Sequence, residues 1–211
     1  MGVCYIVGAG ECTESIEKRE GDLVIAADGG IRHLARMGLA PDLFVGDFDS
    51  TDASGDAPIV LRHPCEKDDT DTALALALGE ARGYREFYIY GGLGGERFDH
   101  SLANVQLLLG AAKRGVCVTL VRGNWRTRVL REGEKLTFSA DARGYISVFA
   151  IGGPACGVTL SGLKYELAGT TLTPDAPLGV SNEFCARAAS VFAAEGHLLL
   201  IYEDKGTGEE P

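Results

Sequence analysis

The spacing of the apolar residues changes near residue 123, and this change restricts the folds that the chain can adopt. Before Gly123, short apolar runs such as Leu23–Ala27 alternate with stretches of helical periodicity. Glycines follow those stretches, where a helix C-cap accepts a residue with positive φ. Alternation of this kind predicts a parallel α/β sheet. The predicted strands are 3–7, 23–27, 43–45, 59–61, 87–90 and 116–121, and the predicted helices are 31–37, 70–82 and 101–113.

After Gly123 the chain consists of short strand-like runs separated by Gly, Pro or Asp, and no helical periodicity interrupts them. We therefore predict two domains, an α/β domain over residues 1–123 and an all-β domain over residues 124–211. The sheet of the first domain is expected to be Rossmann-like. The strand-like runs of the second are 127–130, 135–139, 145–151, 158–160, 170–173, 186–192 and 198–202.

The overall charge excludes one large class of partners. The chain carries 20 Lys and Arg against 30 Asp and Glu, a formal charge of −10, whereas proteins that bind nucleic acid through phosphate contacts are basic. No apolar run approaches the ~18 residues of a membrane span, and the first residues lack the features of a signal peptide. We therefore expect a cytoplasmic protein that binds neither nucleic acid nor membrane.

Acidic residues are concentrated in one part of the first domain. Nine of the 14 aspartates lie between Asp28 and Asp71, and several of them directly follow an apolar run. The carboxyl ends of parallel strands meet at one edge of a sheet, where ligands bind. Carboxylates crowded together repel one another unless a cation is bound, and Mg²⁺ prefers oxygen ligands. The predicted Mg²⁺ ligands are Asp28, Asp47, Asp49 and Asp71.

Glycines and basic residues accompany these aspartates. A glycine lets backbone N–H groups approach phosphate oxygens closely, and a lysine or arginine supplies positive charge. The sequence therefore predicts a magnesium–polyphosphate site. Its predicted phosphate-binding residues are Gly29, Gly30, Gly94, Gly95, Lys67 and Arg97.

Other signatures give competing interpretations. Gly8 and Gly10 imitate a dinucleotide fingerprint, but Thr13 occupies the position that requires Gly or Ala. No P-loop motif is present. The segment D-F-D-S-T, which begins at Asp47, resembles the nucleophile loop of haloacid-dehalogenase-like phosphotransferases. A Mg²⁺-dependent phosphotransferase or phosphatase with Asp47 as its nucleophile therefore stays an alternative.

Five motifs in order resemble those of bacterial thiamin pyrophosphokinases: ADGG, GDFDS, KDDTDTALAL, GGERFDHSLAN and GLKYELAG…GVSNEF. The resemblance implies an N-terminal α/β domain, a C-terminal β-sandwich that binds thiamin, and a homodimer whose active sites lie where one subunit's α/β domain meets the other's β domain. It also implies the reaction: ATP and thiamin give AMP and thiamin diphosphate.

The same resemblance implies roles for individual residues. Asp28, Asp47, Asp49 and Asp71 would bind Mg²⁺ and the ATP phosphates. Lys67, Arg97 and Asp99 would hold the nucleotide and the reacting hydroxyl, and Asp71 or Asp99 would accept its proton. In the β domain, Tyr165 would stack on the thiamin ring while Ser181 and Asn182 contact the substrate.

Some features of these motifs also allow plainer interpretations. Thr70 and Asp71 form a helix N-cap with an acidic first turn, and Arg97 with Asp99 forms a surface ion pair. Glu96 separates the glycines from Arg97, and Ala73 stands where bacterial members often carry Glu. These two departures are the reason to keep a third hypothesis, a nucleotide- or thiamin-binding module without catalysis.

Overall fold

The computed structural model describes residues 2–46, 60–62, 70–95, 97–205 and 209–210, with the backbone alone at 60–62 and 209–210. Three of the predicted site residues, Asp47, Asp49 and Lys67, lie outside the described residues. The chain divides into two units. The first contains residues 1–107 and 115–123, and the second contains residues 108–114 and 124–211.

The strands of the first unit all run parallel. In the described part of the chain they follow the order β6-β5-β1-β2-β3-β4, so β1 lies between β2 and β5. Cys4 of β1 is in register with Leu23 on one side and with Phe87 on the other. The strands are β1 (Cys4–Val7), β2 (Leu23–Ala27), β3 (Leu43–Gly46), β4 (Val60–Arg62), β5 (Glu86–Tyr90) and β6 (Cys117–Arg122).

Helices cover both faces of this sheet. Leu34 of α1 (Gly30–Met37) packs in one core with Val7 of β1, whereas Gly79 of α2 (Asp71–Ala81) lies beside Cys4 and the Phe87 ring. Cys4 and Val7 are three residues apart in an extended strand, so their side chains point to opposite faces. A third helix, α3 (Phe98–Lys113), follows β5. A parallel sheet requires such double cover because both of its faces are apolar.

Helix α3 begins at Phe98, three residues before its predicted start, whereas the end of α1 and the start of α2 are formed as the sequence predicts. Gly38 ends α1 with φ 70°, and its N–H donates to the carbonyl oxygen of Ala35. The Thr70 hydroxyl caps α2 by accepting the Ala73 N–H at 3.2 Å. The N-cap hydrogen bond therefore explains a threonine at position 70, and the helix dipole explains an acidic residue at position 71.

The second unit is built from antiparallel strands around one core. The first half of the long strand β9 pairs with β11 and β13, and its second half pairs with β10 and β12. Side chains from both groups of strands meet in the core, among them Phe138, Val148, Leu160 and Tyr202. The strands are β7 (Trp125–Leu130), β8 (Lys135–Phe138), β9 (Tyr145–Ser161), β10 (Leu167–Leu172), β11 (Gly179–Glu183), β12 (Ala189–Phe192), β13 (Glu195–Glu203) and β14 (Glu209–Glu210).

Strands β9, β11 and β14 differ from the sequence prediction, and β14 (Glu209–Glu210) was not predicted as a strand. The runs 145–151 and 158–160 were predicted as separate strands, yet both belong to β9. The glycines and Pro154 between the two runs had suggested that the first strand ends there. Instead, Gly152 and Gly157, with φ of 77° and 64°, let one strand bend and continue. The β11 segment was not predicted as a strand because its sequence, GVSNE, has little apolar alternation.

A sheet-rich fold with few helices is confirmed. Among the described residues, no helix is long and apolar enough to cross a membrane.

Candidate active site

The loops that follow β1 and β5 touch at the carboxyl edge of the first sheet. The Gly8 N–H donates to the Tyr90 carbonyl at 2.8 Å, and the Gly10 N–H donates to the Gly91 carbonyl at 3.0 Å. After β1 the chain adds β2, β3 and β4 on one side of β1, and it later adds β5 on the other side. Ligands of open parallel sheets bind at such a switch point, where neighbouring loops diverge.

Asp28 lies on the same edge, directly after β2. Its φ is 48°, a left-handed conformation that aspartate tolerates better than most residues. Its N–H donates to the Val45 carbonyl at 2.8 Å, which attaches it to the end of β3. The aspartate-rich segment that starts at Asp47 follows this end of β3 in the chain. Asp28 is thus positioned by two adjacent strand ends.

The orientation of α2 directs Asp71 toward this edge. Gly79, near the end of α2, packs against Cys4 and Phe87, which lie at the amino ends of β1 and β5. The helix has 11 residues and spans about 16 Å at 1.5 Å per residue. A helix that connects two parallel strands runs antiparallel to them, so its first residue, Asp71, is expected toward the carboxyl ends of the strands. Asp28 and Asp71 are accordingly expected at the same end of the sheet.

The described carboxylates suit a hard cation in their chemistry, because Asp28 and Asp71 offer only oxygen ligands. Within residues 2–46, 70–95 and 97–205, however, no group of three or more His, Cys, Asp or Glu side chains is close enough to hold a metal ion. The other two predicted ligands, Asp47 and Asp49, lie outside the described residues. The four-aspartate metal site therefore stays a prediction.

The four glycines predicted to bind phosphate have different surroundings. A Cβ on Gly30 would overlap the Val7 carbonyl oxygen, so this glycine allows α1 to pack on β1. A Cβ on Gly29 would lie 3.1 Å from the Ala9 Cβ, and one on Gly94 would lie 2.6 Å from the Arg122 guanidinium carbon. At Gly95, with φ 83°, a Cβ would meet no atom of the described residues within 4 Å.

The glycine loop after β5 is held by side chains that the sequence analysis did not single out. The Gly94 N–H donates to Ser101 Oγ at 2.9 Å, and the buried Asn104 amide donates to the Gly92 carbonyl at 2.7 Å. The Arg122 guanidinium beneath Gly94 is paired with Glu11 at 2.8 Å. The sequence contained one signal for these two contacts. Ser101 and Asn104 are spaced at helical intervals from Leu108 and Ala111, which are buried, so the two polar residues lie on the same face of α3 as its buried residues.

Arg97 and Asp99 form a bidentate ion pair at the start of α3. Arg97 Nε and Nη2 donate to the two Asp99 carboxylate oxygens at 2.9 and 2.6 Å, with 69% and 63% of the two side chains exposed. Hydrogen bonds from Arg97, opposed by a smaller desolvation effect, lower the pKa of Asp99 to about 2. A carboxylate this acidic is a poor proton acceptor near neutral pH. The two short hydrogen bonds confirm the surface ion pair between Arg97 and Asp99 that the sequence predicted.

This pairing predicts an unusual titration. The carboxyl carbon shift of Asp99 should stay constant from neutral pH to about pH 3 and change near the pKa of about 2. In Arg97→Met the hydrogen bonds are lost, so the pKa should rise toward the ordinary value of 3.8. Carbon-13 NMR of both proteins measures the two midpoints. A wild-type midpoint near 3.8 would show that the pair does not persist in solution.

The predicted thiamin-contacting residues cluster in the second unit. Tyr165 lies on the loop between β9 and β10 with 60% of its surface exposed, and Asn182 of β11 is buried beneath it. The Asn182 side chain bonds to both the N–H and the carbonyl of Tyr165. Ser181 is exposed, with φ 57°, and its N–H donates to Ser147 Oγ at 3.1 Å. The structure thus joins Tyr165 and Asn182 by hydrogen bonds, and Ser181 precedes Asn182 in β11.

Comparisons with known proteins cover both units. Residues 17–120 match the family model of the thiamin pyrophosphokinase catalytic domain, and residues 134–198 match that of the thiamin pyrophosphokinase vitamin B1 binding domain. The thiamine pyrophosphokinase of Bacillus subtilis (strain 168) is 30% identical over 188 residues, which cover 86% of this chain and 87% of the relative.

Solved structures agree with these matches. The crystal structure of thiamine pyrophosphokinase from Bacillus subtilis superimposes with a TM-score of 0.82 at 26% identity, covering 96% of this chain and 99% of that one. That of thiamin pyrophosphokinase from Geobacillus thermodenitrificans gives a TM-score of 0.81 at 27% identity, covering 97% and 98%. The sequence, the two domain matches and the fold therefore agree, and the chain belongs to the thiamin pyrophosphokinase family.

Proposed function

We propose that this chain is a Mg²⁺-dependent thiamin pyrophosphokinase, which transfers a pyrophosphoryl group from ATP to the hydroxyethyl group of thiamin. The observation that carries this proposal is that a catalytic-domain match and a vitamin B1 binding-domain match occur together in one chain. The products are thiamin diphosphate and AMP.

Each unit has a separate part in this proposal. Residues 1–123 form a Rossmann-like domain that binds ATP and Mg²⁺ at the carboxyl edge of its parallel sheet, as ligands of such sheets do. Residues 124–211 form a β-sandwich that binds thiamin. The hydrogen bonds between the loops after β1 and β5, together with the positions of Asp28 and Asp71, support the first assignment. The exposed Tyr165 supports the second.

The reaction requires an in-line displacement at phosphorus. The thiamin hydroxyl oxygen bonds to the β-phosphorus of ATP, the bond from that phosphorus to the α–β bridging oxygen breaks, and AMP leaves with the electron pair. Arg97 and Lys67 would neutralise phosphate charge, and Gly95, whose Cβ would meet no described atom within 4 Å, would let a phosphate oxygen approach backbone N–H groups. Mg²⁺, held by Asp28, Asp47, Asp49 and Asp71, would orient the triphosphate and act as a Lewis acid.

The ion pair at the start of α3 helps to distinguish the two candidate proton acceptors. Asp99 has its pKa lowered to about 2 by Arg97, so it holds a proton only weakly. We therefore assign to Asp99 the role of orienting Arg97 toward the phosphates, and to Asp71 the role of accepting the hydroxyl proton. Both assignments depend on substrate binding at this edge of the sheet.

One assay tests the function against its alternatives. The protein is incubated with ATP, Mg²⁺ and thiamin, and the products are separated by chromatography. AMP and thiamin diphosphate in equal amounts are expected. Release of ADP or inorganic phosphate would favour the phosphotransferase or phosphatase alternative with Asp47 as nucleophile. Binding of both substrates without product would favour the non-catalytic module.

Replacement of Tyr165 should weaken thiamin binding selectively. The exposed ring has the Lys164 ammonium 5.5 Å from its centroid, so it already interacts with a cation, and its contacts with an aromatic, cationic substrate would contribute about 0.5–2 kcal/mol. Tyr165→Ala should therefore raise the KM for thiamin about 2- to 30-fold and leave the KM for ATP unchanged. Tyr165→Phe is the matched control, because it keeps the ring. Steady-state kinetics measure all four constants, and an unchanged thiamin KM in Tyr165→Ala would remove the ring from the site.

We further propose that the chain acts in the cytoplasm as a homodimer. The second unit exposes Tyr165, Leu178 and Val180, and large exposed apolar side chains are common at protein interfaces. Sedimentation equilibrium should show a species of twice the 22.3 kDa chain mass. A species of 22.3 kDa alone at micromolar concentration would contradict the dimer.

A further inference from the structure

The Asn182 side chain is hydrogen-bonded to both backbone groups of Tyr165. The Tyr165 N–H donates to Asn182 Oδ1 at 2.9 Å, and Asn182 Nδ2 donates to the Tyr165 carbonyl at 2.6 Å. Asn182 Oδ1 also accepts the Glu183 N–H at 2.9 Å. An amide oxygen has two lone pairs and both are used here, so at most one N–H of the side chain is left for another partner.

Burial supports the same interpretation. Asn182 is 3% exposed, whereas Tyr165 above it is 60% exposed. A buried amide that loses its partners is costly, so these bonds oppose movement of the Tyr165 backbone. The Asn182 side chain satisfies both backbone groups of Tyr165, as the backbone of a neighbouring strand would do in a sheet. Tyr165 thereby keeps a fixed backbone although its ring faces solvent.

The rest of the loop is held at its other end. Arg187 donates to the carbonyl oxygens of Gly162 and Leu163 at 3.1 and 3.0 Å. Glu166 accepts the Gly162 N–H at 2.7 Å and pairs with Arg187 at 3.2 Å. These contacts restrict the loop around Tyr165 without touching its ring. The ring is therefore presented by a loop that is ordered before any ligand arrives.

We propose that Asn182 is a positioning residue, which acts on thiamin binding through the Tyr165 ring and makes no essential contact with thiamin itself. This inference rests on the proposed function. It replaces the direct substrate contact that the family resemblance implied for Asn182. Preordering of the ring lowers the entropy that thiamin binding would otherwise cost. The effect of losing Asn182 should therefore depend on whether residue 165 carries a ring.

A double-mutant cycle tests this dependence. Asn182→Leu keeps the approximate size of the side chain and removes its hydrogen bonds, and it is made in the wild type and in Tyr165→Ala. Asn182→Leu removes the two hydrogen bonds to Tyr165 and the one from Glu183. We expect it to raise the thiamin KM about tenfold in the wild type and less than about twofold in Tyr165→Ala. The ATP KM should stay unchanged in all four proteins. Equal effects in both backgrounds would show a direct contact and overturn the proposal.

Two additions keep the result decisive. If Asn182→Leu fails to fold by circular dichroism, Asn182→Asp replaces it, since aspartate keeps the acceptor oxygen and places a second oxygen against the Tyr165 carbonyl. If the wild type forms no thiamin diphosphate, the proposed function fails, and the cycle is measured on thiamin affinity by calorimetry instead. Non-additive affinities would then support the positioning role, and additive affinities or absent thiamin binding would overturn it.

Discussion

Replacement of Asp71 by asparagine is expected to reduce turnover by about 10²- to 10⁴-fold, the range for loss of a general base. Asp71 is the first residue of α2, and this helix directs it to the carboxyl edge of the parallel sheet. Asparagine keeps the shape of the side chain but has neither the charge to bind Mg²⁺ nor the basicity to accept a proton. The rate of AMP formation at saturating ATP and thiamin measures the loss.

Stability must be separated from catalysis in this experiment. An acidic residue in the first turn of a helix contributes about 0.3–1 kcal/mol, so the Tm of Asp71→Asn should fall by no more than about 4 °C. Glu20→Gln, the same change from carboxylate to amide at an exposed position of the first unit, is the control and should keep full activity. Full activity in Asp71→Asn would remove this carboxylate from both proposed roles.

Replacement of Gly30 by alanine should give the largest loss of stability. The added Cβ would overlap the Val7 carbonyl oxygen, a backbone atom of β1 that cannot rotate away. Overpacking of this kind costs about 1–3 kcal/mol or more, which corresponds to a fall in Tm of about 2–12 °C for a chain of this size. Thermal unfolding followed by circular dichroism measures the change.

Gly110→Ala is the matched control for that substitution. Gly110 lies inside α3, where an added Cβ would approach the Arg114 guanidinium no closer than 3.4 Å. Alanine is a better helix former than glycine by about 1 kcal/mol, so the Tm should stay level or rise. A Gly30→Ala protein as stable as the wild type would show that α1 and β1 separate without cost. The close approach at Gly30 would then have no role in stability.

Local features of the chain were predictable because they depend on residues near one another in sequence. Leu23–Ala27 forms a strand with the predicted bounds, and Gly38 ends α1 in the left-handed conformation expected after the helical stretch. The continuity of β9 was not predictable from the same signals. Glycines at 152 and 157 permit a turn and a bend equally well, and only pairing with β13 and β12 selects the bend.

The candidate site shows the same division. The motifs predicted Asp28, Asp71, Arg97 and Asp99 as members of a site, and the described part of the structure places Asp28 beside the end of β3 and Asp71 at the start of α2. The motifs did not reveal that Arg97 would hold the pKa of Asp99 at about 2. That property depends on the direction in which two exposed side chains point, which sequence spacing leaves open.

The sequence by itself determined the two kinds of secondary structure pattern, the acidic charge and the ordered motifs of the family, since each is a property of residues along the chain. The tertiary structure decided that Gly30 packs on Val7 and that the Asn182 amide pairs with the backbone of Tyr165, 17 residues away. Such contacts arise when long-range strand pairing brings distant backbone atoms within hydrogen-bond distance. No local pattern of residue types specifies which atoms will meet.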